Sequence, residues 1–348
     1  MSEAKLNLGL IPPAEIDSAH QLLMKLTREL DRAMLGRPVL HRLVIIGILS
    51  RGHILFEGVP GVGKTALIKI LCQLFQLQGS RIQFTPDLMP GDILGTHILQ
   101  EKSDGTREMV FQSGPIFSNL ILADEINRAS PKTQSALLEA MQERCVTLIG
   151  KTRQLPIPFF VLASQNPIEM EGTYPLPEAQ LDRFMFKLQV GTADAKVLEQ
   201  IISERRRGDT PTPEFRLSAD ELKQLFEIHE RIFLPKPVAS YISRIVSATH
   251  PSDKHSTEGV KRNVSHGASP RAAIAIAEAA RAEALFNQRA TVGFEDVNFV
   301  CSHVLNHRII LNYQAKFDGI DTNKVISEIL KKYEPGNLDL PDEITLSK

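Results

Sequence analysis

The segment of this 348-residue chain that says most about its fold is the octapeptide Gly58-Val59-Pro60-Gly61-Val62-Gly63-Lys64-Thr65. It matches the pattern G-x-x-x-x-G-K-[ST], follows the apolar run from His53 to Glu57, and opens a stretch from Lys64 to Leu77 with helical periodicity. Glycines let successive backbone N–H groups face one point, and the N-terminus of the following helix adds partial positive charge there. The sequence therefore predicts a phosphate-binding loop between a strand and a helix.

Two side chains at the end of this loop have predicted roles. Lys64 is expected to reach the β- and γ-phosphates of a nucleotide as a compact cation, and the Thr65 hydroxyl is expected to ligate Mg²⁺. We include Ala66, the next residue, with the eight loop residues in the predicted nucleotide site. The alternative is a glycine-rich turn with a chance lysine, and the strand before the loop and the helix after it argue against that alternative.

Polar residues that follow other apolar runs extend the predicted site. The run from Leu120 to Ala123 ends in Asp124 and Glu125, and open α/β sheets bind ligands at the carboxyl ends of their strands. Asp124 is thus predicted to be a metal partner, either directly or in the second shell, and Glu125 to be the general base that polarises the attacking water. Asn166 follows a third apolar run and could orient that water. The alternatives are an acidic strand-to-loop exit and an Asn-Pro turn.

The arrangement of the apolar runs predicts an α/β fold. Up to Val190, short apolar runs alternate with helical patterns, which is typical of a parallel sheet covered by helices. After Val190 the strand-like runs end and the remaining patterns are helical. We therefore predict an α/β domain over residues 1–190, opened by an N-terminal helix, and an all-helical domain over residues 191–348, with the boundary near Gly191.

The composition indicates the cellular compartment and limits the classes of binding partner. Lysine plus arginine (40) nearly cancels aspartate plus glutamate (41), so no overall field attracts nucleic acid or an anionic membrane surface. Cys72, Cys145 and Cys301 lie far apart and form no C-x-x-C pair, which favours a reducing, cytoplasmic setting. No apolar run approaches the roughly 18 residues of a membrane span, and the first residues lack a secretory pattern. We expect neither membrane insertion nor secretion.

Together these motifs resemble the AAA+ ATPases, and specifically their MoxR branch. The similarity extends over most of residues 36–310, and its strongest points are GVPGVGKT from Gly58, GPIFSNLILADEINRASPKTQSALLEAMQE from Gly114, ASQNP from Ala163, LPEAQLDRF from Leu176 and GASPRA from Gly267. The resemblance implies a P-loop NTPase fold, with a three-layer parallel-sheet ATPase core followed by a smaller all-α lid. It also implies an Mg²⁺-dependent ATPase that converts ATP and water to ADP and phosphate.

The resemblance assigns roles to residues that the sequence alone leaves ambiguous. It maps Asn166 to the sensor 1 position, Arg271 to sensor 2 on the lid, and Arg183 to the arginine finger that serves the ATP of a neighbouring subunit. A finger supplied in trans raises the rate by about 10³–10⁵. Apart from the family, Arg183 could pair with Glu178 or Asp182. Arg271 lies in the first turn of a predicted helix, an unfavourable place for a cation unless an anion approaches.

The resemblance further implies a homo-oligomeric ring, commonly hexameric, with each nucleotide between subunits. Residues 86–114 and residues 144–158 are similar to two hairpin-type inserts that carry motion from nucleotide to substrate in related rings. Arg128 remains ambiguous, because it could make another contact in trans or a salt bridge that holds its own loop. The segment from Thr249 to His266 is longer and more polar than expected before GASPRA, which leaves the approach of Arg271 to the site open.

Three functions are compatible with these patterns. The resemblance favours chaperone-like remodelling, in which ATP hydrolysis drives maturation, metal or cofactor insertion, or assembly of a client protein, often with a partner that carries a von Willebrand factor A domain. The second is a DNA-directed motor or loader, suggested by the hairpin inserts, although neutral net charge and the lack of an appended helix-turn-helix or zinc module make nucleic acid a poor fit. The third is a regulatory scaffold gated by slow hydrolysis.

Overall fold

The computed structural model describes residues 11–58, 63–103, 105–166, 172–191, 194–204 and 211–334. Contacts divide the chain into a sheet unit, Lys25–Ala219, and a helical unit of Met1–Met24 with Asp220–Lys348. The strands are β1 (Ile54–Glu57), β2 (Gly79–Gln83), β3 (Gly95–Glu101), β4 (Arg107–Ser113), β5 (Leu120–Asp124), β6 (Cys145–Leu148), β7 (Lys151–Gln154), β8 (Phe160–Gln165), β9 (Phe186–Gln189), β10 (Val264–His266) and β11 (Ile310–Leu311). The helices are α1 (Pro13–Ala33), α2 (Pro38–Leu49), α3 (Lys64–Leu74), α4 (Pro90–Leu94), α5 (Pro131–Glu143), α6 (Glu178–Leu181), α7 (Ala195–Glu204), α8 (Ala219–Arg231), α9 (Lys236–Ala248), α10 (Glu258–Asn263), α11 (Pro270–Phe286), α12 (Phe294–Leu305), α13 (Tyr313–Phe317) and α14 (Thr322–Lys332).

Five strands described in the sheet unit form one parallel sheet in the order β2-β5-β8-β1-β9. Strands β1, β5 and β8 are buried along their length except at the last residue, which is half-buried and polar: Glu57, Asp124 and Gln165. Continuous apolar runs suit a strand that is covered on both faces. Because all five strands run the same way, their polar last residues lie along one edge, and the predicted parallel sheet is confirmed.

Two antiparallel hairpins lie within the segments that the sequence marks as inserts. Strands β3 and β4 pair from Gly95 with Ser113 to Glu101 with Arg107, and β6 pairs with β7 in the same manner. The guanidinium of Arg153 on β7 stacks over the ring of Phe111 on β4, with Cζ 3.8 Å from the ring centroid. A contact of this type contributes about 0.5–2 kcal/mol, so the two hairpins are joined side to side.

Chain beyond Gly191 remains with the sheet unit up to Ala219. Arg37 donates a hydrogen bond to the Gly191 carbonyl (2.7 Å), and the Leu217 N–H donates to the carbonyl of Leu74 (2.6 Å). These contacts explain why the boundary between the two units lies after Ala219, whereas in the sequence the strand-like apolar runs end near Gly191. The domain boundary at Gly191 stays a prediction.

The helical unit contains α8 to α14 and one short antiparallel pair of strands, β10 with β11. The pair was not expected, because strands of three and two residues are too short to give an alternating pattern. The polar segment before GASPRA is held in place at several points. Thr249 Oγ1 accepts a hydrogen bond from the Ala268 N–H (2.9 Å), and Lys332 and Tyr333 at the end of α14 both donate to the His255 carbonyl (2.8 Å each). No helix among the described residues has the length and apolar character to cross a bilayer.

His53, just before β1, joins three elements of the sheet unit. Its Nδ1 accepts a hydrogen bond from the Val161 N–H of β8 (3.0 Å), which requires Nε2 to carry the proton and to donate to the Met141 carbonyl of α5 (3.2 Å). Burial lowers the pKa of His53 to about 4, although the bond to Met141 opposes this shift. The imidazole is therefore neutral in the folded chain across the physiological pH range.

The buried neutral His53 predicts a loss of stability in mild acid. An unfolded histidine takes up a proton below about pH 6.5, whereas the folded one does so only near pH 4, so the stability present above pH 6.5 is lost as the pH falls. Between pH 7.5 and pH 5 this group should cost about 2 kcal/mol of unfolding free energy. Urea unfolding at both pH values, compared with His53→Gln, measures it. Gln keeps a donor and an acceptor without titrating, so an equal acid loss in native and variant would contradict the prediction.

Candidate functional site

A cleft of about 340 Å³ opens at the carboxyl edge of the sheet. Its lining residues come from the start of α3 and from the ends of β2, β5 and β8, and they are Gly63, Lys64, Thr65, Arg81, Gln83, Asp124, Glu125 and Asn166. The structure thus brings together the lysine, the threonine, the two carboxylates and the amide that the sequence places at strand ends. The predicted roles of these residues in catalysis remain predictions.

The end of the octapeptide has the backbone that its sequence requires. Gly63 precedes α3 with a φ of 91°, in the left-handed region that glycine adopts at little cost. Lys64 and Thr65 begin the helix and Ala66 follows in its first turn, so these residues lie at the positive end of the helix dipole. Predicted phosphate-binding residues Val59, Pro60, Gly61 and Val62 lie outside the described residues.

The Lys64 ammonium is held across the base of the octapeptide. Its Nζ donates to the carbonyl of Gly58, the first residue of the loop, at 3.0 Å. Burial lowers the pKa of Lys64, while the carboxylates of Asp124 and Glu125 act in the opposite direction. Two carboxylates therefore face the amine across the cleft and favour its charged form.

The two oxygens of the Asp124 carboxylate have different partners. Oδ1 accepts a hydrogen bond of 2.6 Å from the Ser164 hydroxyl, and Oδ2 accepts one of 2.7 Å from Nη2 of Arg81. Ser164 is fully buried, whereas the side chain of Arg81 is half exposed. One oxygen is therefore held from inside the sheet and the other from the solvent side.

Glu125 has an uncommon backbone conformation at the turn after β5. Its φ of 57° and ψ of 48° lie in the left-handed region, which disfavours a residue with a Cβ by about 1–2 kcal/mol. Its N–H donates to the Ser164 hydroxyl at 3.0 Å. Its Oε2 accepts from Gln83 Nε2 (2.8 Å) and from Arg128 Nη1 (2.9 Å). Arg128 thus makes the salt bridge that was one of its two alternatives; whether it also acts in trans stays open.

Asn166 is buried at the end of β8 and lines the cleft. Its backbone carbonyl accepts a hydrogen bond from the side chain of Asn127, at 3.4 Å, which links the exits of β5 and β8. The residue is therefore at the same edge of the sheet as the carboxylates, as the strand pattern predicts.

Three residues that contact the carboxylates of the cleft, Arg81, Gln83 and Ser164, are not predicted from the sequence. Strand β2 pairs with β5 so that Gln83 lies beside Asp124 and Ile82 beside Ala123. A polar-apolar-polar triplet at the end of an edge strand was the available signal for Arg81 and Gln83. No sequence signal marks Ser164, because it is a single small residue within an apolar run that is buried on both faces.

The two arginines that the family resemblance singles out lie outside this cleft's lining. Arg183 follows α6, its Nη1 donates to the Leu138 carbonyl of α5 at 2.6 Å, and its buried Nε has no hydrogen-bond partner among the described residues. Arg271 belongs to the helical unit, in the exposed first turn of α11, where its N–H donates to the capping Ser269 hydroxyl (3.2 Å). Their roles stay predictions.

A second cleft of about 340 Å³ lies in the sheet unit, lined by residues 35–40, residues 189–191, Asp194 and Val197. Its lining includes Val190, which also lies against the start of the octapeptide. A Cβ placed on Gly58 would lie 2.3 Å from the carbonyl oxygen of Val190. The octapeptide therefore starts beside the second cleft.

Comparisons with known proteins match both units. The profile of the "ATPase family associated with various cellular activities (AAA)" matches residues 53–186, and the profile of the "AAA lid domain" matches residues 257–329. Similar relatives include Chaperone MoxR1 of Mycobacterium tuberculosis, with 45% identity over 87% of this chain and 79% of the relative. The uncharacterised protein YeaC of Bacillus subtilis is 41% identical over 90% of this chain and 95% of its own length.

A further relative and a solved structure agree with these matches. Protein MoxR of Methylorubrum extorquens is 30% identical over 82% of this chain and 86% of its own length. A crystal structure of a candidate ATPase from Cytophaga hutchinsonii superposes with a TM-score of 0.82 and 40% identity, over 92% of this chain and 96% of that one. The predicted core with a helical lid is thereby confirmed.

Proposed function

We propose, because this chain belongs to the MoxR family of AAA+ ATPases, that its sheet-edge cleft binds ATP with Mg²⁺ and hydrolyses it, and that the chain uses this cycle to remodel a client protein. The observation that carries the proposal is the cleft itself. A lysine and a threonine that open a helix share it with two carboxylates and an amide from other strand ends. Phosphoryl transfer needs this combination of a cradle, charge neutralisation and a positioned water.

The donors in the cleft fit a magnesium–phosphate group. Thr65 offers a hydroxyl and Asp124 a carboxylate, and magnesium prefers oxygen ligands of these kinds. The Arg81 guanidinium at Asp124 Oδ2 supports the same conclusion, because it shows that this oxygen already stabilises a cation. A magnesium ion held by Thr65 and Asp124 would supply positive charge against the charge that develops on the phosphates.

The second cleft is suited to the base of the nucleotide. Val190 lines it and lies against Gly58 at the start of the octapeptide, so a ligand with its phosphates at Lys64 would have a cleft for its base nearby. Nucleotide pockets are largely apolar with a few polar groups. Leu35, Val39 and Val190 supply apolar side chains to its lining, and Arg37, Gln189 and Asp194 supply polar ones.

Within the cleft, the chain's own residues have distinct tasks. Lys64 offsets charge on the phosphates, and Glu125 accepts the proton of the attacking water as general base. Asn166, fixed at the end of β8, orients that water. Gln83 and Arg128 hold the Glu125 carboxylate at the wall of the cleft, which restricts where the water can lie.

Assembly would complete the site. Arg183 does not line the cleft of its own chain, which supports the proposal that it serves the ATP of a neighbouring subunit in a ring, commonly of six. Its guanidinium is anchored through Nη1 to the Leu138 carbonyl, which would hold this planar group in a fixed orientation toward a phosphate. Arg271 of the helical unit would act as sensor 2 on the nucleotide, since an anion at the first turn of α11 is favoured by the helix dipole.

The biological output that we favour is chaperone-like. A relative with 45% identity is named a chaperone, and the proposal carries that role to this chain. The client would be matured, assembled, or loaded with a metal or cofactor, and a partner with a von Willebrand factor A domain could present it. The joined β3–β4 and β6–β7 hairpins are the part of the sheet unit that we expect to respond to the nucleotide.

The hairpins also keep a second function under consideration, a DNA-directed motor. Lys102 and Arg107 lie at the turn of the first hairpin, but both are paired, with Glu108 and Glu101 respectively. Charge that is offset in this way attracts phosphate backbones poorly. The charges at the turn of the first hairpin therefore give no preference for DNA over a protein client.

The proposed function predicts three results with the purified chain. ATP should bind more tightly than inorganic triphosphate, because triphosphate has no base for the second cleft. Hydrolysis should require Mg²⁺ and stop when EDTA is added. Addition of duplex or single-stranded DNA should change the rate by less than about twofold at low salt.

Each result has an outcome that decides against part of the proposal. Equal affinities for ATP and triphosphate would contradict the assignment of the second cleft to the adenine base of the nucleotide. Hydrolysis that continues in EDTA would contradict the proposed requirement for Mg²⁺. A strong stimulation by DNA that fades as salt is raised would replace the chaperone-like role with the DNA-directed one.

A further inference from the structure

Ser164 lies behind the carboxylates of the site and contacts both of the residues that carry them. It is fully buried in β8, and it is absent from the lining of the cleft. Its hydroxyl donates to Oδ1 of Asp124 (2.6 Å) and accepts from the backbone N–H of Glu125 (3.0 Å). One oxygen atom thus connects the predicted metal partner with the predicted general base.

The hydrogen-bonding capacity of a hydroxyl explains why a serine suits this position. A hydroxyl has one donor and two acceptor sites, so it can serve a carboxylate oxygen and an N–H at the same time. The bond to Asp124 is charge-assisted, which makes it shorter and stronger than a neutral one. The bond from Glu125 supports a left-handed backbone that would otherwise be disfavoured at a non-glycine residue.

The two oxygens of Asp124 have different partners because of the bond from Ser164. Because Ser164 holds Oδ1 from the buried side, Oδ2 is the oxygen that turns toward the cleft, and Arg81 binds it there. Arg81 is half exposed, so another cation can replace it at Oδ2. Ser164 is fully buried, so its contact with Oδ1 stays in place. The buried contact therefore sets the direction from which a cation meets this carboxylate.

We propose that Ser164 is the positioning residue of the nucleotide site, which orients Asp124 toward the metal and Glu125 toward the water through a single hydroxyl. The inference rests on the proposed ATPase function and adds a residue that does not touch nucleotide. The gain in nucleotide affinity on addition of Mg²⁺ and the rate of hydrolysis then depend on Ser164. The affinity for nucleotide without Mg²⁺ depends instead on the octapeptide and Lys64.

The test compares Ser164→Ala with Ser164→Thr, which keeps the hydroxyl, and with Ser164→Cys, which keeps the shape of the side chain, is slightly larger and lacks a strong donor. Ser80→Ala is the matched control, since it removes a serine hydrogen bond to the Pro115 carbonyl (2.7 Å) in the same sheet without touching either carboxylate. The readout is the affinity for ADP with a fluorescent ribose label, measured in EDTA and during titration with Mg²⁺. Thermal unfolding checks the fold of each variant.

In Ser164→Ala and Ser164→Cys, the strengthening of ADP binding by Mg²⁺ should fall by on the order of tenfold, as expected for the loss of one hydrogen bond to a charged group. Affinity in EDTA should stay within about twofold of native, and kcat for ATP should fall with little change in KM. Ser164→Thr should restore most of the Mg²⁺ effect.

Other outcomes overturn the inference. It fails if Ser164→Cys folds and keeps the native Mg²⁺ effect, if Ser80→Ala loses as much, or if Ser164→Thr restores nothing while remaining folded. It fails also if the native chain binds ADP without any Mg²⁺ effect. If the native chain binds no nucleotide in either buffer, the proposed function has failed, and that result is distinct from the others.

Discussion

Glu125→Gln should bind ATP as tightly as the native chain and hydrolyse it about 10²–10⁴ times more slowly. Gln has the size of Glu and can keep the left-handed backbone and its N–H bond to Ser164, but its amide cannot accept the proton of the attacking water. The cradle at Lys64 is untouched, so binding should persist. ATP affinity by equilibrium binding and phosphate release under saturating ATP are the two measurements.

Glu199→Gln makes the same chemical change at an exposed position of α7 and should leave both measurements unchanged. If the native chain hydrolyses ATP readily and Glu125→Gln matches its rate, the general-base assignment is wrong. If the native chain is itself as slow as the variant, the scaffold function gains support. A variant that holds ATP without turnover also provides the means to capture the client, by affinity purification in the presence of ATP.

Arg183→Ala should reduce hydrolysis by about 10³-fold or more if the arginine acts as a finger in trans. Lys64→Ala should be inactive for a different reason, since it damages the cradle of its own chain. Mixing the two variants should restore activity, because some interfaces then pair an intact Lys64 with an intact Arg183. At equal mixing and random assembly, roughly a quarter of the interfaces in a head-to-tail ring are of this kind.

The measurement is phosphate release as a function of mixing ratio, at fixed total protein. Arg216→Ala, a change at an exposed arginine of the sheet unit, is the matched control and should behave as native. Thermal unfolding shows whether loss of the bond from Arg183 to the Leu138 carbonyl weakens the fold. Mixtures that stay inactive at every ratio, from folded subunits, would place Arg183 in its own chain.

The parts of the site that the sequence predicts are those marked by a local pattern. The octapeptide is a continuous motif, and Asp124 and Asn166 each follow a buried apolar run. In a parallel sheet such runs all end at the same edge, so a one-dimensional pattern is enough to predict that these residues lie close together.

What the sequence does not predict depends on which strands are neighbours. Gln83 lies beside Asp124 only because β2 pairs with β5, and no local pattern encodes that order. Ser164 is hidden for a related reason. In a strand buried on both faces, the apolar pattern does not show which face a serine side chain lies on, and the bond from Ser164 to Asp124 becomes evident only from the pairing of β5 with β8.

The helical unit shows the same limit on a smaller scale. Its helices carry clear amphipathic patterns, but the pairing of β10 with β11 brings together residues more than forty positions apart, such as Val264 with Leu311. Two and three residues give no periodicity, so only the folded chain reveals the contact.

The ion pair between Arg81 and Asp124 has a consequence for how quickly a nucleotide can arrive. The carboxylates of Asp124 and Glu125 alone would repel a polyanionic triphosphate at the mouth of the cleft. Lys64 and Arg81 line the cleft with the two carboxylates, and Arg128 pairs with Glu125, so this repulsion is offset before a nucleotide arrives. Since electrostatic repulsion slows association and weakens with salt, Arg81 links the resting arrangement of the cleft to the rate of nucleotide binding.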